Sequence, residues 1–309
     1  MRAALIAFLF ASTPVFAFPV TVQSCDRQVT FDTAPTRAIA NDVNLIEMML
    51  ALGLADRMVG YTGVSGWKTL DAELREGIAE LPELSAKYPT REVLLGAEPD
   101  FFFAGWNYGM KVGGEVTPET LEPFGIKTYE LTESCIHIGP RPKISMQDMY
   151  VDLLNLGRIF GVEDRAKALV AGYEARLAEV TATVDPAQPL RVFVYDSGEE
   201  TAFTAGRYAI PTAMIEAAGG SNIMDDLDKS WATVAWEPVV ERNPQVIIIV
   251  NYGEVTADQK IAFLEQNPAF AGIDAVRNRR YVVLEYVEAT PGPRNIAAVE
   301  KLVAGFKGQ

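Results

Sequence analysis

Aromatic side chains that carry a polar tip recur in the segments that follow apolar runs of the chain. Trp and Tyr combine a large apolar face with a hydrogen-bonding group, and this combination suits a bulky organic ligand with polar edges. Ligands of open α/β sheets bind beyond the carboxyl ends of the strands, where these segments would lie. For any one ring the alternative is ordinary core packing, but together they predict the lining of a binding cleft. The set consists of Tyr61, Trp67, Trp106, Tyr108, Tyr208, Trp231, Tyr252 and Tyr286.

Three arginines, Arg141, Arg207 and Arg294, stand beside Gly or Pro in the same kind of segment. A guanidinium there could bind a carboxylate or another anionic group of a ligand through two parallel hydrogen bonds. The alternative is a solvated or salt-bridged loop arginine. We expect ligand contact for Arg207 and Arg294.

Catalytic motifs are missing from the chain. It has no Gly-x-Ser-x-Gly elbow, no phosphate-binding loop and no His-Glu-x-x-His pair. His137 is the only histidine, so a Ser-His or Cys-His mechanism would have to use it. We therefore predict no catalytic residue and a protein that is not an enzyme.

The first 17 residues have the pattern of a secretory signal peptide. A short basic start precedes an apolar stretch over residues 3–11, and Val15-Phe16-Ala17 forms a small–x–small cleavage site. We predict cleavage after Ala17 and export to the periplasm; the alternative is an apolar N-terminal strand. No later segment approaches the roughly 18 uninterrupted apolar residues of a membrane span.

The predicted export would place the two cysteines, Cys25 and Cys135, in an oxidising compartment. An isolated pair in an oxidising compartment tends to form a disulfide, which we predict here. Two unpaired thiols are the alternative. A zinc site is disfavoured because His137 supplies just one further soft ligand, so we predict no metal site and no cofactor.

Composition limits the partners. The formal net charge of −14 argues against nucleic acid and against an anionic membrane surface. A chain of 309 residues is long enough for two domains, each with its own core.

The chain repeats one plan. Residues 35–42 and 189–196 are both a Pro-x-Arg start, a short apolar run and an aspartate. Residues 98–109 and 243–253 each run from a proline through an apolar strand to Asn-Tyr-Gly. Apolar runs of this length indicate buried strands of a parallel sheet. We predict an α/β protein with two Rossmann-like lobes, mostly parallel sheets and a ligand cleft between the lobes.

A stretch of helical periodicity without strand signals separates the two halves. We assign residues 18–144 to the N-terminal lobe, 145–185 to a linking helix region and 186–309 to the C-terminal lobe. One long helix, or two in sequence, fits this region. A helical link resists the changes of backbone angle that loops absorb, so we expect limited hinge bending.

Several stretches together resemble the periplasmic substrate-binding proteins for iron-siderophores, haem and vitamin B12. They are residues 35–42, 50–60, 98–100, 203–206, 219–223 and 243–247, and the helical link completes the pattern. The resemblance covers essentially the whole mature chain. It implies two lobes joined by a rigid helix, and a protein that delivers its ligand to an ATP-driven (ABC) importer.

The resemblance also implies roles for particular residues. A glutamate on each lobe would dock against the membrane permease, and we place these at Glu115 and Glu237, the latter at the start of the matching helix. Trp106 and Trp231 would line the cleft. The ligand would be a ferric siderophore or a similar bulky metal chelate, bound by a monomer. A corrinoid or haem is the alternative ligand, and an exported enzyme acting in the same cleft is the alternative class.

Overall fold

The computed structural model describes residues 18–66, 68, 70–185 and 187–308. The predicted signal segment, residues 1–17, and the predicted cleft residue Trp67 lie outside the described residues. In the part of the chain that is described, no helix has both the length and the apolar character to cross a membrane.

The first lobe contains the elements before residue 145. Its strands are β1 (Val20–Ser24), β2 (Arg27–Phe31), β3 (Ala38–Asn41), β4 (Met58–Thr62), β5 (Glu83–Ser85), β6 (Phe101–Trp106), β7 (Gly109–Met110) and β8 (Lys127–Glu130). Its helices are α1 (Val43–Ala51), α2 (Ala72–Gly77), α3 (Arg91–Ala97) and α4 (Pro118–Leu121). A short 3₁₀ helix, Thr132–His137, follows β8, and we call it the 132–137 segment.

The main sheet of lobe one is parallel, with strand order β5-β4-β3-β6-β8 and the short β7 beside the end of β6. Strand β6 is buried along its whole length because helices cover both faces of the sheet. Strands β1 and β2 form a separate antiparallel hairpin. A disulfide between Cys25, in the turn of that hairpin, and Cys135 ties the hairpin to the 132–137 segment, as the cysteine pair predicts.

Two consecutive helices, α5 (Met146–Ile159) and α6 (Glu163–Thr181), connect the lobes. Arg158, near the end of α5, donates to the carbonyl of Thr21 in lobe one, so α5 packs back on that lobe. The chain reverses at Gly161 (φ 69°). Arg165 of α6 donates to the lobe-one carbonyl of Leu52, and Arg176 forms an ion pair beyond the link, in lobe two.

Helix α6 therefore crosses from one lobe to the other. Its 19 residues span about 28 Å at 1.5 Å per residue. The alternative of two helices in sequence is the correct one.

The second lobe repeats the plan. Its strands are β9 (Leu190–Tyr195), β10 (Ala202–Ala205), β11 (Gly220–Asn222), β12 (Trp231–Val234), β13 (Val246–Asn251) and β14 (Tyr281–Glu285). Its helices are α7 (Ile210–Ala217), α8 (Trp236–Arg242), α9 (Ala257–Gln266), α10 (Asp274–Arg277) and α11 (Asn295–Phe306). The parallel sheet has the order β11-β9-β13-β14, while β10 and β12 form an antiparallel ribbon beside it. The predicted α/β class, with two lobes and mostly parallel sheets, is confirmed.

Candidate functional site

The two aspartates that end the repeated stretches lie at corresponding places in the two lobes. Asp42 directly follows β3, and Asp196 directly follows β9. The carboxyl ends of both sheets face the space between the lobes, so both carboxylates lie at its base. Both are buried.

Asp42 joins the lobes through its side chain. Its carboxylate accepts the backbone N–H of Val43 at 2.6 Å and pairs with the Lys68 ammonium at 2.5 Å. The phenol of Tyr286, from lobe two, donates to the same carboxylate at 2.9 Å. Burial lowers the pKa of Lys68, and the charge of Asp42 opposes that shift.

Asp196 has a matching set of neighbours within lobe two. The phenol of Tyr252 donates to its carboxylate at 2.7 Å, and the Ser197 hydroxyl donates at 2.8 Å. The ammonium of Lys260 donates to the backbone carbonyl of Asp196 and lies 4.8 Å from the centre of the Tyr252 ring. Burial raises the pKa of Asp196.

A cavity of about 390 Å³ opens between the lobes above these two aspartates. Its described lining residues from lobe one are Lys68, Tyr88, Asn107, Tyr108 and His137. From lobe two they are Asp196, Phe203, Trp231, Val250, Tyr252, Tyr286, Ala289 and Thr290. Among these residues Lys68 and Asp196 are the charged ones, so the lining is mainly aromatic and close to balanced in charge.

One wall of the cavity is an aromatic platform on the antiparallel ribbon. The rings of Phe203, on β10, and Trp231, on β12, stack with centroids 5.8 Å apart and an angle of 22° between their planes. Across the cavity the amide nitrogen of Asn107 lies 3.2 Å from Nε2 of His137. Burial lowers the pKa of His137, which favours the neutral imidazole. The cavity therefore offers a flat organic group an aromatic surface to stack on at one side and neutral polar groups at the other.

The tyrosines of the cavity act as hydrogen-bond donors. Burial raises the pKa of Tyr88, Tyr108, Tyr252 and Tyr286, and nearby carboxylates add to the rise. Their phenols therefore stay protonated near neutral pH, where an iron ligand would have to be a phenolate. Within the described residues, no three His, Cys, Asp or Glu side chains come together to bind a metal ion.

The cavity brings together four of the predicted ligand contacts: Tyr108, Trp231, Tyr252 and Tyr286. Tyr108 and Tyr252 are the tyrosines of the repeated Asn-Tyr-Gly sequences, and they line the cavity from opposite lobes.

The other described aromatic candidates lie elsewhere. Trp106 is buried inside lobe one and donates its indole N–H to Glu130 at 2.9 Å. Tyr61, on β4, packs in the core, and the phenol of Tyr208 donates to Asp228 at 2.7 Å. None of these three lines the cavity.

The arginine candidates also lie away from the cavity. The guanidinium of Arg294 pairs with Glu47 and Asp71 of lobe one, at a separate contact between the lobes. Arg207 lies 4.0 Å from Asp228, and Arg141 pairs with Asp148. No arginine is among the described lining residues, so the expected bidentate clamp on an anionic ligand is not found there.

Residue types alone do not identify the remaining lining residues, but the sequence repeat does point to one further feature of the site. Both copies end in an aspartate: Asp196 lines the cavity, and Asp42 binds the lining residues Lys68 and Tyr286. Tyr88, His137 and Phe203 had no comparable signal, since a loop and two short elements place them.

Helices α3 and α8 occupy matching places in the two lobes. Each has seven residues, exposes a glutamate at its second position, Glu92 or Glu237, and ends at a left-handed residue, Glu98 (φ 48°) or Asn243 (φ 45°). A proline and an apolar strand follow each helix. Glu115 instead lies in the loop before α4, so by position in the repeat the counterpart of Glu237 is Glu92.

Known proteins share this arrangement over most of the chain. The family model described as "Periplasmic binding protein" matches residues 41–286. An uncharacterised ABC transporter substrate-binding lipoprotein of Bacillus subtilis is 23% identical, over 92% of this chain and 84% of its own length. A vitamin B12-binding protein of Pectobacterium atrosepticum is 23% identical, over 70% of this chain and 71% of its own.

Among solved structures, an ABC-type Fe3+-hydroxamate transport system protein of Saccharomonospora viridis superposes with a TM-score of 0.81 at 26% identity. The match covers 94% of this chain and 99% of that one. With the family match spanning most of the chain, and with two lobes enclosing a lined cavity, the protein belongs to the periplasmic binding protein family, the substrate-binding components of ABC importers.

Proposed function

We propose that the protein binds an iron(III) chelate of low net charge, of the hydroxamate type, and delivers it to an ABC importer. The observation that carries this proposal is the charge of the cavity lining. Burying a charged group without a partner is costly, and the described lining includes no arginine, while Lys68 is already paired with Asp42. Three hydroxamate groups neutralise one iron(III), so such a chelate needs no cationic clamp.

The aromatic platform supports the same ligand class. Trp231 and Phe203 present ring faces to the organic shell of a chelate, while Asn107 and the phenols offer polar contacts at its edges. The protonated phenols favour contact with the shell over direct coordination of iron. The similarity to the Fe3+-hydroxamate protein of Saccharomonospora viridis is consistent with this ligand.

A corrinoid or haem remains the second candidate, because relatives include vitamin B12-binding proteins. The cavity volume of about 390 Å³ is near the lower end of the range for small-molecule sites. A corrinoid is larger than a trihydroxamate chelate and would require the lobes to move further apart, which a helical link between them resists.

Native mass spectrometry with absorption spectroscopy, on protein isolated from its own periplasm, tests the ligand class. We expect a co-purified iron complex with the broad visible charge-transfer band of a hydroxamate chelate. A haem Soret band or a corrinoid spectrum would overturn the choice of ligand while leaving the transport role in place.

We further propose that Glu92 and Glu237 are the pair that docks on the permease. Both are exposed at the second position of matching helices, and a symmetric pair of carboxylates suits a permease with two similar halves. Glu115, the residue that the sequence resemblance suggests, lacks this symmetric position.

Uptake assays with paired variants test the docking proposal. The double variant Glu92→Ala/Glu237→Ala should bind chelate normally but transport it at least ten-fold more slowly. Glu115→Ala/Glu237→Ala serves as the matched control and should transport faster than the first pair. Equal transport by the two double variants would reject Glu92 as the lobe-one docking residue.

We infer that the chain is exported, with cleavage after Ala17, and that the mature protein is a monomer. We also infer that it binds its ligand without converting it chemically. Among the described residues of the cavity, the ring of His137 lies within hydrogen-bond distance of Asn107, and no serine or cysteine is among the lining residues. N-terminal sequencing of the periplasmic protein should give Phe18 as the first residue, and chemical change of a bound chelate would revive the enzyme alternative.

A further inference from the structure

The 132–137 segment contacts several separate parts of the molecule although it has only six residues. The Thr132 hydroxyl and N–H donate to Asp152 of α5. Cys135 is bonded to Cys25 of the N-terminal hairpin, and His137 lines the cavity. Between these anchors lies Glu133, which the binding role described above does not use.

Glu133 is a lobe-one carboxylate that is buried against lobe two, with 1% of its surface exposed. One carboxylate oxygen accepts the backbone N–H of Ile210 at 2.9 Å. The other accepts the Ser230 hydroxyl at 2.9 Å and the Tyr108 phenol at 3.3 Å. Two of the three donors, Ile210 and Ser230, belong to lobe two.

One of the two lobe-two donors lies at a helix N-terminus, and the other lies next to a cavity-lining residue. Ile210 is the first residue of α7, and the N-cap residue of that helix, Ala209, has no side chain that could accept a hydrogen bond from the first N–H groups. A carboxylate near a helix N-terminus is stabilised by the free N–H groups and by the helix dipole. Ser230 directly precedes Trp231, the aromatic wall of the cavity.

Glu133 thus connects both walls of the cavity. Tyr108, a lobe-one lining residue, and Ser230, next to a lobe-two lining residue, donate to the same oxygen. Any separation of the lobes at this point breaks the bonds to Ile210 and Ser230. Both groups would then have to find water as a partner.

We propose that Glu133 is a positioning residue that latches lobe two onto lobe one and sets the spacing between Tyr108 and Trp231, and that the Cys25–Cys135 disulfide holds the 132–137 segment in place for this contact. The proposal rests on the proposed function in one respect, namely that the cavity is the ligand site. The latch itself is a property of the protein without ligand.

The disulfide matters because the segment is a single 3₁₀ helix rather than part of a sheet. Cys135 lies two residues after Glu133, so its bond to the hairpin turn fixes the segment next to the latch. Without the disulfide, Thr132 remains anchored to Asp152 but the segment beyond Glu133 loses its covalent anchor. We therefore expect loss of the disulfide to loosen the latch partly.

Hydrogen exchange of the ligand-free protein tests the latch directly. In Glu133→Ala, amide exchange in the peptide that contains Ile210 should be about ten-fold faster than in the wild type. Glu130→Gln is the matched control, since Glu130 is an equally buried carboxylate whose partners Ser24, Arg27 and Trp106 all lie in lobe one. It should leave exchange at Ile210 unchanged.

Two further variants keep the test informative if Glu133→Ala folds poorly. Ser230→Ala removes one donor from the lobe-two side and should raise exchange at Ile210 by about two- to three-fold. Cys25→Ser/Cys135→Ser should give an increase between those of Ser230→Ala and Glu133→Ala. Unchanged exchange in folded Glu133→Ala, or in Ser230→Ala where Glu133→Ala does not fold, would overturn the latch.

Binding of ferrichrome, a neutral iron(III) trihydroxamate, tests the effect on the site. Glu133→Ala should bind it about ten-fold more weakly, mainly through faster dissociation, while Glu130→Gln should bind as the wild type does. Wild-type affinity in Glu133→Ala would overturn the positioning role. If the wild type binds no ferrichrome but exchange at Ile210 responds as expected, the proposed ligand fails and the latch stands.

Discussion

Removal of the Cys25–Cys135 disulfide should lower the stability of lobe one by several kcal/mol. The two cysteines are 110 residues apart, and every main strand of the lobe-one sheet lies within the loop that they close. In the chain-entropy description, a cross-link of this span reduces the entropy of the unfolded chain by about 16 cal/mol/K. That corresponds to about 4.8 kcal/mol at 25 °C.

Urea denaturation of Cys25→Ser/Cys135→Ser, followed by far-ultraviolet circular dichroism, measures this loss. With an m-value of about 3 kcal/mol/M, the midpoint should fall by about 1.6 M relative to the oxidised wild type. Wild-type protein treated with reductant should fall by a similar amount. The same reductant should leave the serine variant unchanged, which controls for effects of the reagent itself.

A midpoint that is the same in the oxidised wild type and in the serine variant would refute this reasoning. It would mean that the cross-link does not restrict the unfolded chain as the chain-entropy description assumes. A second transition that appears only in the variant would instead agree with the account, because the cross-link lies entirely within lobe one.

Three further predictions concern the cavity, the core of lobe one and the pH dependence. Trp231→Ala should weaken ferrichrome binding by about 30-fold, the effect of a buried aromatic contact of about 2 kcal/mol. Trp106→Ala should instead lower the free energy of unfolding by about 3–5 kcal/mol, because it empties a buried site within lobe one; calorimetric titration and thermal melts separate the two effects. Burial raises the pKa of Glu133 and of Asp152 to about 7, so the folded protein holds protons that the unfolded chain releases between about pH 4 and pH 7. The free energy of unfolding should therefore rise as pH is lowered from 8 to 5, although the lowered pKa of His137 opposes this rise below about pH 6.5. Asp152→Asn should flatten this pH profile. An unchanged profile in that variant would contradict the raised pKa of Asp152 as its cause.

The fold follows from the sequence wherever burial leaves an unambiguous pattern. The apolar runs of β6 and β13 are covered on both faces, so their periodicity and their flanking prolines locate them well. The hairpin β1–β2 and the ribbon β10–β12 were not predicted, because short antiparallel strands with polar alternation resemble loops. Helix α11 was missed as well, although its apolar face packs in the core.

The site could be predicted only in part, for a related reason. In β6, alternate residues face opposite sides of the sheet, and Trp106 shares the side of Phe102 and Ala104, which pack in a separate core cluster. Since every residue of β6 is buried, the sequence pattern could not indicate which side meets the cleft. Phe203 and Trp231 become neighbours only through the pairing of β10 with β12.

The arginines illustrate a different limit. Arg294 stands beside a proline, as a ligand contact could, but Glu47 and Asp71 of the other lobe pair with it. Nothing near Arg294 in the sequence indicates these partners, which are more than two hundred residues away. Such contacts between the lobes join residues far apart in the sequence, and they are visible only in the structure.

The central claim is that the cavity between the lobes binds an iron(III) chelate of low net charge. The most direct measurement is an equilibrium titration of the mature protein with ferrichrome and, in parallel, with a trianionic iron(III) tris-catecholate. We expect one ferrichrome per protein, with a dissociation constant in the micromolar range or below, and binding of the trianion that is at least ten-fold weaker. Equal or tighter binding of the trianion, or no binding of ferrichrome, would contradict the account.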